Sequence, residues 1–377
     1  MQTDLKPDYR EPRAFRARSL SMLSIAVFLG GNFASIDMGF AGTVGDDNQL
    51  LKDAQRLFKP LPKDAATPAT PLTPQRIELG RKLFFDPRVS VDGTVSCSRC
   101  HVAALYATDG LGHAEGAFDK VNDRRAPTVL NAALQFKAHW RGERENVEDQ
   151  ATRALTGPAS FGNSDSNSAI KKLKAIPGYG ELFRNAFPGE SDPISDANWG
   201  KAIGAFERTL MTPGRFDEYL SGNVQALSTA ERRGLRTFIN TGCGGCHMGP
   251  VLGGTMFQKF GIVEDYWKVT GSQTVDKGRF DVTHQPSDMY SFKVPGLRNV
   301  EMVPPYFHDG SVRTLPEAVR VMAKIQLGKT LSAEDTAAIV TFLSSLTGKV
   351  PTQFAEAPVL PPAAFAAAPA ANTSSPR

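Results

Sequence analysis

The 377-residue chain is short of several things, and each shortage narrows its class. It has only four cysteines, all confined to two short stretches, so none is left for a structural disulfide. Charge of one sign is not in excess: 43 basic against 39 acidic residues give a formal net charge of +4. No concentrated Lys/Arg stripe and no known recognition motif is present, which argues against a nucleic-acid binder. No strong alternation of apolar and polar residues marks a set of strands. The longest apolar run, residues 20–29, is too short to span a bilayer, and Asp37 interrupts the stretch that follows it. What remains is an ordinary balance, 41% hydrophobic and 22% charged, in a chain long enough for two domains plus tails.

The four cysteines carry the chemistry. They form Cys97-Ser98-Arg99-Cys100-His101 and Cys243-Gly244-Gly245-Cys246-His247, both C-x-x-C-H. This is the attachment signature of c-type haem. Two thiols bond to the two vinyl groups of one porphyrin, and two intervening residues give the reach. The following histidine then ligates the iron from the proximal side. C-x-x-C also occurs in zinc sites and redox disulfides. Zinc requires further ligands at compatible spacing, and a thioredoxin-like motif does not need the histidine. Two covalent haems are the expectation, with His101 and His247 as proximal ligands.

The N-terminus reads as a targeting segment over residues 1–41. Arg10, Arg13, Arg16 and Arg18 precede the apolar run, and small residues follow it. A start at Met22 or an uncleaved anchor stays open. Export agrees with c-type haem, which in bacteria is attached outside the cytoplasm, so a periplasmic location is expected. Residues 42–72 are rich in Pro, Ala, Asp and Lys and read as a linker wrapping onto the fold. Helix signals then dominate. Thr73 with Pro74 starts an amphipathic helix carrying Ile77, Leu79 and Leu83. Ser228 with Glu231 makes a capping box ahead of Leu235 and Phe238. Thr314 with Glu317 and Ser332 with Asp335 open two more helices, the last carrying Ile339, Phe342, Leu343 and Leu346. Each half places a helix of related pattern (residues 79–85 and 234–238) before its Cys motif. The fold expected is mainly α: two cytochrome c-like domains, residues 73–225 and 226–350, each with one covalent c-type haem. The Pro/Ala-rich tail, 351–377, is expected to be disordered.

Over residues 73–350 the chain resembles the bacterial di-haem cytochrome c peroxidase family, which also contains MauG-type enzymes. The resemblance rests on Leu79-Gly-Arg-Lys-Leu-Phe-Phe-Asp-Pro-Arg88, Ala126-Pro-Thr-Val-Leu-Asn131, Ala205-Phe-Glu-Arg-Thr-Leu210 and Asp276-Lys-Gly-Arg279. Phe292-Lys-Val-Pro-Gly-Leu-Arg-Asn299 and Pro305-Tyr-Phe-His-Asp-Gly310 continue it in the same order. It implies an enzyme that reduces hydrogen peroxide to water at an N-terminal haem, with electrons from a small cytochrome c or cupredoxin entering at a high-potential C-terminal haem. Family members are often homodimers.

The resemblance also implies site residues. Met322 stands where the family places the sixth ligand of the C-terminal haem, a position at which MauG has tyrosine. Its bland reading is a methionine packed in a helix face. Met248 and Met256 lie too close to the covalent motif to reach the opposite face easily. Trp140 matches a tryptophan between the haems, and its bland reading is a buried core aromatic. Gln150 fits the first distal polar position, but Ser160 stands where the family carries a catalytic glutamate. A serine hydroxyl is not a base near neutral pH. The role could pass to Glu145, Glu148 or Asp165, although each also reads as a surface carboxylate. His113 has two readings, a distal ligand of the N-terminal haem shifted into place by its glycine-rich loop, or an exposed loop histidine. His308 reads as a structural turn histidine near the second haem. The family's bridging calcium uses an asparagine just before Ala126-Pro-Thr, with backbone carbonyls near the second domain. Arg125 occupies that position, and a guanidinium cannot ligate calcium. Peroxidase, MauG-like oxidase of a protein side chain, and electron carrier without peroxide chemistry all remain open. Met322 favours the first over the second, and Ser160 favours the others over the first.

The motifs make a direct prediction. Mass spectrometry of the exported protein should find two covalent haems per chain, and changing Cys243 and Cys246 to Ala should leave one. Fewer than two in the unaltered protein would refute the reading of these stretches.

Overall fold

The computed structural model describes residues 44–362. The targeting segment and the tail beyond residue 362 lie outside them. Helices carry the architecture: α1 Val44–Leu57, α2 Pro74–Phe85, α3 Cys97–Cys100, α4 Val147–Ala154, α5 Ser166–Lys174, α6 Tyr179–Ala186 and α7 Asp196–Glu207. They continue with α8 Arg215–Leu220, α9 Thr229–Thr241, α10 Tyr266–Thr270, α11 Phe280–Thr283, α12 Leu315–Leu327, α13 Ala333–Ser344 and α14 Thr352–Ala355. The strands β1 Phe257–Lys259 and β2 Ser291–Lys293 form one antiparallel pair, with Gln258 opposite Phe292. Among the described residues no helix is long and apolar enough to cross a membrane.

Local sequence explains the helix starts. Thr73 Oγ1 accepts from the Arg76 amide, with Pro74 in the first turn, where a missing N–H costs nothing. At α9 the Ser228 hydroxyl accepts from the Glu231 amide, and the Glu231 carboxylate accepts from the Ser228 amide. Ser332 caps α13 through the Asp335 amide. Thr314 sits at the start of α12, but its side chain makes no cap bond, and the proline in the first turn sets that start instead.

The helices enclose two hydrophobic cores. In the first, α2 crosses α7; in the second, α9 crosses α13. Both crossings depend on a glycine. A Cβ on Gly80 would lie 1.8 Å from the Ala202 carbonyl oxygen, and one on Gly234 would lie 2.0 Å from that of Ala338. The backbones therefore approach closer than any side chain would allow. The related patterns noted at residues 79–85 and 234–238 are thus the same packing device used twice.

Three expectations about boundaries need correction. The segment read as a linker contains α1, whose Leu50 and Ala54, with Phe58 beyond it, bury one face against the second core. Abundant polar residues around that i, i+4, i+8 stripe hid its periodicity. The tail read as disordered contains α14, whose Phe354 is fully buried in the first core, 5.7 Å from Phe84 in an edge-to-face contact. The change of core falls before α8 rather than at 225/226, because Phe216 packs on Phe58 and Phe342 of the second core. The chain therefore enters through its second core and leaves through its first.

Buried polar groups are mostly paired. Asp86 is fully buried and accepts from Arg88 and from the Tyr179 hydroxyl (2.7 Å). Arg298 makes a two-pronged pair with Asp217 at 2.7 and 2.8 Å.

Replacing Phe354 with Ala should cost about 3–5 kcal/mol, the usual range for a core phenylalanine. Thermal unfolding measures it. An unchanged midpoint would show that α14 does not contribute to the first core.

Candidate functional site

Each Cys motif winds one turn that presents its histidine inward. Cys97–Cys100 is α3, and the His101 amide donates to the Cys97 carbonyl at 3.0 Å. Cys243–Gly245 is a single 3-10 turn, and the His247 amide donates to the Cys243 carbonyl at 3.0 Å. The two rings are then held alike. His101 Nδ1 donates to the Ala107 carbonyl and His247 Nδ1 to the Leu252 carbonyl, each at 3.0 Å. Holding the proton on Nδ1 leaves the Nε2 lone pair free as a ligand. Burial pushes both imidazoles below their ordinary pKa, so both stay neutral.

None of the four cysteines is in a disulfide. Burial raises the Cys97 thiol strongly, and raises Cys100 and Cys243 to about 11. Among the described residues no three His, Cys, Asp or Glu converge as a metal site.

The second motif opens on a large, mainly apolar cavity. Cys243, Cys246 and His247 line it together with Met322 of α12. The His247 ring and the Met322 thioether thus line one space. Met248 and Met256 do not line it. His308 also lies on the wall, buried, with its ring 4.5 Å from Phe292 and 5.4 Å from Tyr266. Its Nε2 is 3.5 Å from Asp276. Its Nε2 is buried and makes no hydrogen bond, so the ring is held by aromatic packing.

The same cavity reaches the first half. Thr108, Arg125, His139 and Trp140 line it. Trp140 is half-buried at this seam rather than in either core; its indole N–H donates to the Arg125 carbonyl at 3.0 Å, and its own carbonyl accepts from the Lys293 amide. The loop after the first motif is anchored across the seam. Arg124 makes a two-pronged pair with Asp276 at 2.6 and 2.7 Å. The Arg125 amide donates to the His308 carbonyl, and Gly112 packs on the Asp309 backbone. His113 in this loop is exposed, with its Nδ1 on the Asn122 carbonyl at 3.0 Å.

The expected distal residues sit away from that seam cavity. Gln150 lies on α4, half-buried and without a side-chain hydrogen bond. Ser160 lies in the turn after α4, where its carbonyl accepts from the Ala117 amide. The turn therefore supports the loop that follows the first motif; Asn122 adds a bond to the Ala159 carbonyl. The alternative carboxylates are engaged. Glu148 pairs with Arg208 at 2.6 and 3.1 Å, Glu145 with Lys137 at 2.5 Å, and Asp165 caps α5 through the Ser168 amide.

Sequence reasoning missed three buried groups. Glu207 ends α7 inside the Ala205–Leu210 motif, and burial, then the neighbouring Glu148, push its carboxyl up to about 8. Lys293 on β2 lines the cavity, bonds only Gln135 Oε1, and is pushed down to about 8 by burial. Glu143 keeps one oxygen buried without a partner. Glu207 and Lys293 lie within quoted motifs, but only burial reveals them as unusual.

Residues 74–225 match the family model described as di-haem cytochrome c peroxidase. The cytochrome c551 peroxidase of Pseudomonas aeruginosa is 38% identical over 331 residues, covering 87% of this chain and 94% of that protein. The methylamine utilization protein MauG of Methylorubrum extorquens is 35% identical over 78% of this chain and 81% of its own. Among solved structures, a MauG-like protein associated with microbial copper homeostasis superposes with a TM-score of 0.69 at 29% identity, covering 79% of this chain and 97% of its own. The chain belongs to the di-haem cytochrome c peroxidase/MauG family. It is an oxidoreductase of the peroxidase type.

The seam generates a pH prediction. Burial opposes ionisation of Asp276, but the bonds and charge of Arg124 outweigh it and hold the carboxyl below its ordinary range. Its contribution to stability is therefore full above the ordinary Asp pKa and is lost as pH falls through the lowered value. Arg124→Met should cost roughly 3 kcal/mol and flatten this acid-side dependence. It should also speed hydrogen exchange in residues 110–125. Unaltered exchange there would mean that the pair does not anchor the loop.

Proposed function

We propose that this chain reduces hydrogen peroxide to water in the periplasm, with electrons from a small cytochrome c or cupredoxin. The balance is one peroxide, two electrons and two protons giving two waters. The cavity shared by His247 and Met322 carries the proposal. Two covalent c-type haems, when bound, supply the redox centres that accept donor electrons and meet peroxide. Cys97 and Cys100 would hold one with His101 Nε2 as ligand; Cys243 and Cys246 would hold the other between His247 Nε2 and the Met322 sulfur. A thioether favours the ferrous state relative to a second imidazole and so sets the second haem at the higher potential.

The remaining residues have simpler tasks. Trp140 spans the seam, fixed at its N–H by Arg125 and at its carbonyl by β2, and keeps aromatic density between the two halves. Gln150 offers an amide to a distal peroxide. Ser160 Oγ can donate or accept a hydrogen bond there but cannot hold a proton as a base. His113 is exposed and its Nδ1 donates to the Asn122 carbonyl, which leaves its Nε2 free, so on this reading it would serve either as a distal ligand or as a loop histidine. Neither a calcium ion nor a homodimer is needed for this reading.

A positioned acid–base group contributes about a hundred- to ten-thousandfold to rate. Turnover of the natural protein with excess reduced donor should therefore be slow, and Ser160→Glu should raise it. Rapid turnover, unaffected by Ser160→Ala, would place the proton on another residue. On the second haem, Met322→His should lower the midpoint potential markedly; an unmoved redox titration would reduce Met322 to packing.

A further inference from the structure

Arg125 is the most unusual charge in the molecule. It is only 6% exposed; among the described residues no carboxylate makes a salt bridge with it, and Asp109, with one oxygen buried and unpartnered, acts on it only through space. Its Nη2 donates to the Val303 carbonyl at 2.8 Å, its amide donates to the His308 carbonyl at 3.0 Å, and its carbonyl holds Trp140. Val303 and His308 belong to the second half, so one residue ties that half to the indole at the seam. The Arg125 Nε is buried and has no partner. The guanidinium lines the cavity onto which Cys243, Cys246 and His247 open. Lys293, also buried and without a salt bridge among the described residues, faces the same cavity.

Two buried cations on one wall, balanced only through space by Asp109 and Glu143, are costly unless a further anion joins them directly. A divalent cation cannot satisfy them. At this position the guanidinium repels it, and the Val303 and His308 carbonyls already accept from Arg125. The calcium that the family resemblance implies therefore does not fit these residues.

We propose that Arg125 is a built-in replacement for that divalent cation. It bridges the two halves and offers its free Nε to a carboxylate in the cavity, which on the haem reading is a propionate. The proposal rests on that reading. It predicts a seam indifferent to calcium and a haem potential that depends on the charge at residue 125.

The test uses the purified holoprotein with both haems confirmed by mass. Spectrum, unfolding temperature and both midpoint potentials are recorded after dialysis against a calcium chelator and again with calcium restored. All should be unchanged. Arg125→Gln should lower the midpoint potential of at least one haem, because a nearby buried cation favours the ferrous form. Arg125→Lys should recover part of that shift while losing the Val303 bond. A chelator-dependent change in the natural protein would overturn the proposal, and so would potentials unmoved by Arg125→Gln. Should Arg125→Gln fail to fold, the chelator comparison and Arg125→Lys decide. Fewer than two covalent haems in the starting sample would be a separate failure, that of the haem reading itself.

Discussion

Two hydrogen bonds set the chemistry of this chain. Each proximal histidine gives its Nδ1 proton to a backbone carbonyl a few residues later, Ala107 in one half and Leu252 in the other. That bond fixes the tautomer, the ring plane and the direction of the Nε2 lone pair. It requires the chain to turn back just after each Cys motif, so the loop is as much part of the site as the motif. Burial keeps both rings neutral, and a neutral ring has a lone pair to give.

The scaffold beneath each motif is a pair of helices brought together by one glycine. Gly80 and Gly234 allow contacts that no other residue permits. The halves are not independent lobes, however. α1 packs on the second core and Phe354 of α14 on the first, so the first and last described helices each join the other half's core. Between the cores lies a seam with a high density of buried charge. Its paired member, Arg124 with Asp276, holds it together, while Arg298 with Asp217 braces the second half beside it. Its unpaired members, Arg125 and Lys293, face the cavity, where an anion would be welcome.

The distal side of the first motif departs from family expectation. Ser160 is a serine in a turn whose backbone supports the neighbouring loop, and the nearby carboxylates are occupied by Arg208, Lys137 or a helix cap. The loop carrying His113 is pinned by Arg124, Gly112 and Asn122.

The sequence by itself determined the two Cys-x-x-Cys-His turns, the mainly helical character and the principal helix starts. These are local matters: a Cys-x-x-Cys-His spacing, a Ser–Glu capping box and an apolar stripe act within a few residues of one another. It also indicated Met322, though only through resemblance. Tertiary structure alone decided where α1 and Phe354 pack, because their partners lie far away in the chain. It alone exposed Glu207, Lys293 and Arg125 as buried charges, since burial depends on distant segments that cover a side chain. For the same reason the fate of Arg125, marked in the sequence only by its place at the family's calcium position, became legible only once Val303, His308 and Trp140 were folded around it.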